Sequence, residues 1–180
     1  MDIIDALTRR AERLRDELEQ GTIFAPLMAD RRDDILELQR IQLLEGKDNA
    51  GNDLRPYYTE DLKPSGYFRS AETAKKYAAW KLDLSYPYEV QRNPDAPNLY
   101  INGKFHSELD VHFMPTGLAI VAGSAYASGI MAKYGANKFG LSDEKWGVLL
   151  RERGVLTDLF NVIRYLLYEL NTENQRSRHA

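Results

Sequence analysis

The chain has 180 residues, 43% of them hydrophobic and 28% charged, with a formal net charge of −3 and no cysteine. That length fits one domain, or one domain with helical arms, burying roughly 70% of the surface of the unfolded chain. The composition excludes disulfides, thiolate catalysis and cysteine-ligated zinc; it argues against a DNA-coating protein and contains no apolar run of the roughly 20 residues that span a bilayer.

The opening Met1-Asp2-Ile3-Ile4-Asp5 is acidic, unlike a signal peptide, so the chain is expected to remain where it is made. Ile3, Ile4, Leu7, Ala11, Leu14 and Leu18 recur at helical spacing among charged residues, which predicts an amphipathic helix over 2–20 stopped by Gly21. Its apolar stripe is narrow, as in a coiled-coil seam, so Leu7, Leu14 and Leu18 are expected to pack on a neighbouring chain. Pro26 is expected to interrupt the chain next. In 30–44, Ile35, Leu38, Ile41 and Leu44 fit a helix, with its second half open to a strand. GKDNAGND (46–53) reads as a tight connection, since its Asp and Asn spacing fails the calcium-loop pattern. Residues 54–69, with Pro56, Pro64, Gly66 and four aromatics, read as ordered but irregular.

Ser70 is placed to cap a helix running to about Leu82. Residues 85–98 carry three prolines and are expected to form neither helix nor central strand. An extended run over 99–113 would put Leu109, Val111 and Phe113 on one face and Glu108, Asp110 and His112 on the other. With Met114-Pro115-Thr116-Gly117 as a four-residue loop and Leu118–Ala122 as partner, it predicts an antiparallel hairpin. Further helices are expected over 125–134, closed by Gly135, and from a Ser142 cap to Gly154. The most apolar segment, 155–171, is expected to be the core helix that packs on the sheet. The order of elements gives an α+β class: a small antiparallel sheet packed by helices, with an N-terminal amphipathic helix and long aromatic loops. The organisation follows as an arm (1–28), a core domain (29–172) and a polar tail (173–180).

Glu108, Asp110 and His112, alternate residues on one strand face, are the most enzyme-like set, and would suit a metal-dependent hydrolase or nuclease. A solvated hairpin face needs polar residues at the same positions, so no catalytic, metal or cofactor residues are assigned. Ser107 beside His106 is not a nucleophile and base pair, because strand neighbours point to opposite faces. The aromatic loops stand out instead. Tyr57, Tyr58, Tyr67, Phe68, Tyr86 and Tyr88, interleaved with Arg92 and other cations, have the composition of interface cores, or of loops pinned to their own domain. The same interleaving also suits a nucleic-acid-binding module, which the net charge disfavours.

QLLEGKDNAGNDLRPYY (42–58), ETAKKYAAWK (72–81), NLYINGKFHSELDVHF (98–113) and YGANKFGLSDEKW (134–146) together resemble head–tail connection or tail-completion proteins of Bacteroidetes phages and prophages. Gly103-Lys104-Phe105-His106, Tyr134-Gly135 and Phe139-Gly140-Leu141 occupy the places of that pattern. The resemblance covers about residues 39–150 and departs at the N-terminal helix and the Pro-rich stretch near 86–97. It implies a virion protein assembled in the bacterial host cytoplasm as a homo-oligomeric neck or tail ring, hexameric or dodecameric. The implied partners are adjacent portal, neck or tail proteins, with DNA only as passing cargo and no membrane.

Overall fold

The computed structural model describes residues 3–176 apart from 115, 116, 124, 136 and 137, and only the backbone of residues 3, 6, 7, 167 and 169–176. Its elements run α1 (Ile3–Glu19), α2 (Phe24–Ala29), α3 (Arg32–Leu44), α4 (Ala71–Leu82), α5 (Lys104–Ser107), β1 (Leu109–Met114), β2 (Gly117–Ala122), α6 (Ala127–Tyr134), α7 (Asp143–Gly147) and α8 (Val155–Arg176). A π-helical turn, Val148–Glu152, joins α7 to α8. The class is α+β, with one two-stranded antiparallel sheet among the described residues.

Helix α1 ends as its sequence dictates. Gly21 takes φ 71°, and the N–H groups of Gly21 and Thr22 reach back to the carbonyls of Leu18 (3.2 Å) and Glu17 (3.1 Å). These are the two bonds of a Schellman motif, which needs a left-handed residue at Gly21. Pro26 does not interrupt the chain. It lies in the first turn of α2, where a missing N–H costs nothing because that donor has no intrahelical partner.

Helix α3 organises the core. It stays helical to Leu44, against the expected change to a strand, with Glu45 N–H closing on the Ile41 carbonyl at 2.9 Å. Only the helical period puts Ile35, Leu38, Gln39, Gln42 and Leu43 together on one buried side, and that burial outweighs the strand preference of Ile41. Met28, Leu36, Leu54, Phe105, Leu109, Val111, Ala127, Leu141, Leu149 and Val155 complete the cluster. Helices α2 and α3 pack on β1.

Two polar side chains in this core, Gln39 and Gln42, are fully buried. Gln42 donates to the carbonyls of Asp48 (3.0 Å) and Gly140 (2.8 Å) and accepts the Ser142 N–H at 2.8 Å. One amide thus ties α3 to the turn after it and to the segment entering α7. In that turn Asp48 Oδ1 accepts the N–H groups of Ala50 and Asn52, each at 2.9 Å, while Gly46 and Gly51 take positive φ. Gly46 also lies so close to Ala96 that an added Cβ would sit 2.7 Å from its side chain.

The segment 99–107 is not a strand. Asn102 Oδ1 accepts the Lys104 N–H at 3.1 Å and opens α5, a single turn that buries both Phe105 and His106. Adjacent strand residues would point to opposite faces, so only a helical turn hides both. The strands then pair from Leu109↔Ala122 to Met114↔Gly117. Pairing therefore extends one step further than the expected four-residue loop, and Pro115 and Thr116 lie outside the described residues. Leu109 and Val111 are buried and His112 is exposed, the alternation expected from the sequence.

Ser70 caps α4 by accepting the Thr73 N–H at 3.3 Å. Loop 54–69 folds onto this helix, where Tyr58, Ala74 and Ala78 form a second cluster with Leu62, Phe68 and Tyr77. Gly135 closes α6 with φ 91°. Ser142 caps α7 by accepting the Lys145 N–H at 3.4 Å, but the helix loosens into the π-turn, whose last bond runs from Arg153 N–H to the Val148 carbonyl.

Helix α8 is not the core helix that packs on the sheet. Its packing is against α1, α2 and the π-turn, and among its described side chains Val155 is the one in the buried cluster. Helices α2 and α3 already occupy the apolar face of β1. Residues 173–176, read as tail, continue α8, and 177–180 lie outside the described residues.

Replacing Gln42 with methionine, which nearly conserves volume, is expected to leave the Gly140 carbonyl and the Ser142 N–H unpaired, while the Asp48 carbonyl keeps the Gly51 N–H at 2.9 Å. Unfolding free energy should fall by about 2 kcal/mol or more in urea titrations followed by circular dichroism.

Candidate functional site

The enzyme-like set on β1 does not converge. Asp110 is drawn to the Arg32 guanidinium, whose Nε donates to its Oδ1 at 3.2 Å, and the same oxygen accepts the Val111 N–H. The Arg32 hydrogen bond, then that N–H, hold its carboxyl below the usual range. His112 projects into solvent. Glu108 stands before the strand at the end of α5, with Oε2 buried and without a hydrogen-bond partner among the described residues. Among the described residues, no three His, Asp or Glu side chains are grouped to hold a metal ion. Asp48, in the turn 46–53, pairs with Lys138 at 2.8 Å. Burial pushes its carboxyl up, but Lys138 and two backbone N–H groups outweigh burial and hold it below the usual range.

His106 is buried among rings. Its Nε2 lies 3.1 Å from the Asn98 carbonyl, Nδ1 has no partner among the described residues, and Tyr100 meets the ring edge-on at 5.4 Å. Burial lowers its pKa from 6.5 to about 4, with the charges of Lys81 and Arg40 acting in the same sense. Ser107 turns away to donate to the Lys104 carbonyl at 2.9 Å. Lys81, only 3% exposed at the end of α4, has no carboxylate partner among the described residues. Burial alone lowers its pKa from 10.5 to about 8.

The aromatic residues singled out from the sequence divide into two groups. Tyr58 and Phe68 sit in the second cluster, both edge-on or tilted against Tyr77 at 5.2 Å. Burial pushes the Tyr58 hydroxyl up. Tyr57 donates to Asp53 at 2.6 Å beneath the Arg55 guanidinium. Tyr86 donates to the Lys81 carbonyl at 2.9 Å, and Arg92 covers its ring while donating to the Leu82 carbonyl. Tyr88 is half-buried, whereas Tyr67 is 78% exposed, with Lys133 over its ring at 4.5 Å.

Along α1, Leu14 is half-buried and Leu18 is 41% exposed, while the Leu7 side chain lies outside those described. The structure adds residues that the sequence reading assigned to the core. On α8, Phe160 is 69% and Tyr168 66% exposed, and Leu156 also reaches the surface. With Arg164 these residues recur every four positions and form one ridge. The signal was present in the sequence: α8 carries apolar residues around much of its circumference, so one buried face cannot hold them all. No helix among the described residues is long and apolar enough to cross a membrane.

Lys81→Met should stabilise the protein by roughly 2 to 3 kcal/mol at pH 7, where the folded chain otherwise buries a charged ammonium. A pKa lowered on folding means that the unfolded state binds more protons between about pH 8 and 10.5. Wild-type stability should therefore rise across that window, and the advantage of the variant should vanish above it, as read by urea denaturation at several pH values.

Family models, curated proteins and solved structures were all compared with this chain, and none of the three comparisons gives a match.

Proposed function

We propose that the chain is a structural subunit that assembles with copies of itself into a ring of a phage neck or tail. Its terminal helices and aromatic loops supply the contacts to neighbouring subunits and to adjacent virion proteins. The observation that carries this reading is the ridge of Leu156, Phe160 and Tyr168 on α8, exposed on a helix whose first turn is anchored in the core. Large rings on one face cost free energy in water and contribute most when a partner covers them. Beside it runs α1, whose apolar residues at positions 4, 7, 11, 14 and 18 keep the alternating three and four spacing of a two-helix seam. A head-to-tail ring needs two different complementary surfaces on each subunit, and the helical pair and the loop bearing Tyr67 are two such surfaces. The sequence resemblance to head–tail connection proteins supports the same assignment.

Three of the groups that catalysis would recruit have structural partners. Asp110 is held by Arg32, Asp48 by Lys138 and its own turn, and His106 by the Asn98 carbonyl.

Purified protein should form a closed oligomer visible in electron micrographs, or bind neighbouring virion proteins on mixing. Phe160→Glu with Tyr168→Glu should weaken that association by roughly 30-fold or more while leaving the circular dichroism unchanged. A chain that stays monomeric and binds none of those proteins would overturn the proposal, and so would a double variant that assembles like the wild type.

A further inference from the structure

The two strands differ at their outer edges. The Gly123 N–H donates to the Glu108 carbonyl at 3.1 Å, which marks that pair as hydrogen-bonded. Alternation along the antiparallel register then makes Asp110–Val121, His112–Ala119 and Met114–Gly117 the bonded pairs. The N–H and C=O groups of Leu118, Ile120 and Ala122 therefore point away from β1, along the free side of β2. None of them bonds to another described residue. Among the described residues, no helix packs extensively on β2, although the side chains of Leu118, Ile120 and Ala122 reach the core cluster.

The edge of β1 is guarded at its centre. Of its outward groups, the Val111 N–H is taken by the Asp110 carboxylate, which Arg32 of α3 pins in place. The edge of β2 has no such device: Gly117–Ala122 carries no charge, no proline and no bulge. Natural sheets guard open edges by those means, and an unguarded, uncharged edge is a template for strand addition.

We propose that β2 pairs antiparallel with β2 of a second copy of this chain, about a two-fold axis through Ile120. In that register Leu118 faces Ala122 of the other copy and Ile120 faces its equivalent. All three outward residues of each strand then meet outward residues, and each facing pair exchanges two backbone hydrogen bonds. A one-residue shift would set outward groups against inward ones, so the register is defined by geometry. The side chains of Leu118, Ile120 and Ala122 lie on the core face, where the partner extends the apolar surface already packed under β1. Absence of charge is the complementarity required here, because a charged strand placed opposite its own copy would repel it. The charged, occupied centre of the β1 edge opposes further strand addition there. This contact lies apart from the α1 and α8 surface and stands or falls independently of it.

The test compares masses by sedimentation equilibrium for wild type, Val121→Lys and the Phe160→Glu, Tyr168→Glu double variant. Lys at 121 would stand opposite Asp110 within its own hairpin, so the fold is retained, yet it puts a charge on the pairing edge. The wild type is expected to be a dimer or a larger even assembly. Val121→Lys should halve that mass, with thermal unfolding unchanged, while the double variant keeps the β2-paired dimer. Because the chain has no cysteine, Ala119→Cys and Val121→Cys chains mixed in equal amounts should give a mixed disulfide, those positions being opposed across the axis. A monomeric wild type, a Val121→Lys mass equal to that of the wild type, or crosslinking no better than between identical variants would overturn the proposal.

Discussion

The arrangement of this molecule depends on one buried amide. Gln42 sits on the core side of α3 and holds two carbonyls and one N–H from segments roughly 100 positions apart in sequence. A buried side chain that satisfies three backbone groups is more directional than any apolar contact, because each bond fixes a distance and an angle. The turn at Asp48 and the loop through Gly140 consequently lie side by side, and Lys138 reaches Asp48 between them. The entry to α7 follows, since the N–H that Gln42 accepts belongs to Ser142, whose own hydroxyl caps that helix.

Charge reinforces this frame from the rim. Arg153 bridges Asp34 at 3.1 Å and Glu37 at 2.9 Å, and Arg31 pairs with Asp158, so the start of α8 is bound to α3 at two places. Lys145 spans from α7 to Glu45 at 3.0 Å. These pairs are partly exposed and individually weak, so they orient elements that the apolar core has already brought together. Lys81 follows another rule. Its stem is packed in the interior and its charge lacks a counter-ion among the described residues, which makes it a cost to folding at neutral pH and leaves a net positive surrounding for His106.

Much of the secondary structure was legible because local chemistry decided it. Ser70 and Ser142 announce caps, Gly21 and Gly135 announce stops, and the alternation through Leu109–Phe113 announces a strand. The misread segments are those where tertiary burial decided. Ile41 has a strand-former's shape, but its helix is held by the buried residues around it. Phe105 and His106 look like neighbours in a strand until both must be hidden. Helix α8 is rich enough in apolar residues to resemble a core helix, and no local signal says that α2 and α3 already cover β1. The surface residues were legible in part: Tyr67 and Leu18 are exposed, while Tyr58 and Phe68 serve their own fold. The exposed ridge on α8 was hidden by the assumption that apolar means interior.

The 22-residue length of α8 has a mechanical consequence. At 1.5 Å per residue the helix is roughly 33 Å long, and among its described side chains those of the first turn, just after Gly154, are the ones in the buried cluster. It is a lever with its fulcrum at one end. A tilt of about ten degrees there carries the far end through about 6 Å, by the same rise per residue. Small changes around Arg31 and Asp158 are thereby magnified at the tip, and α1, lying alongside, is the strut that sets the angle.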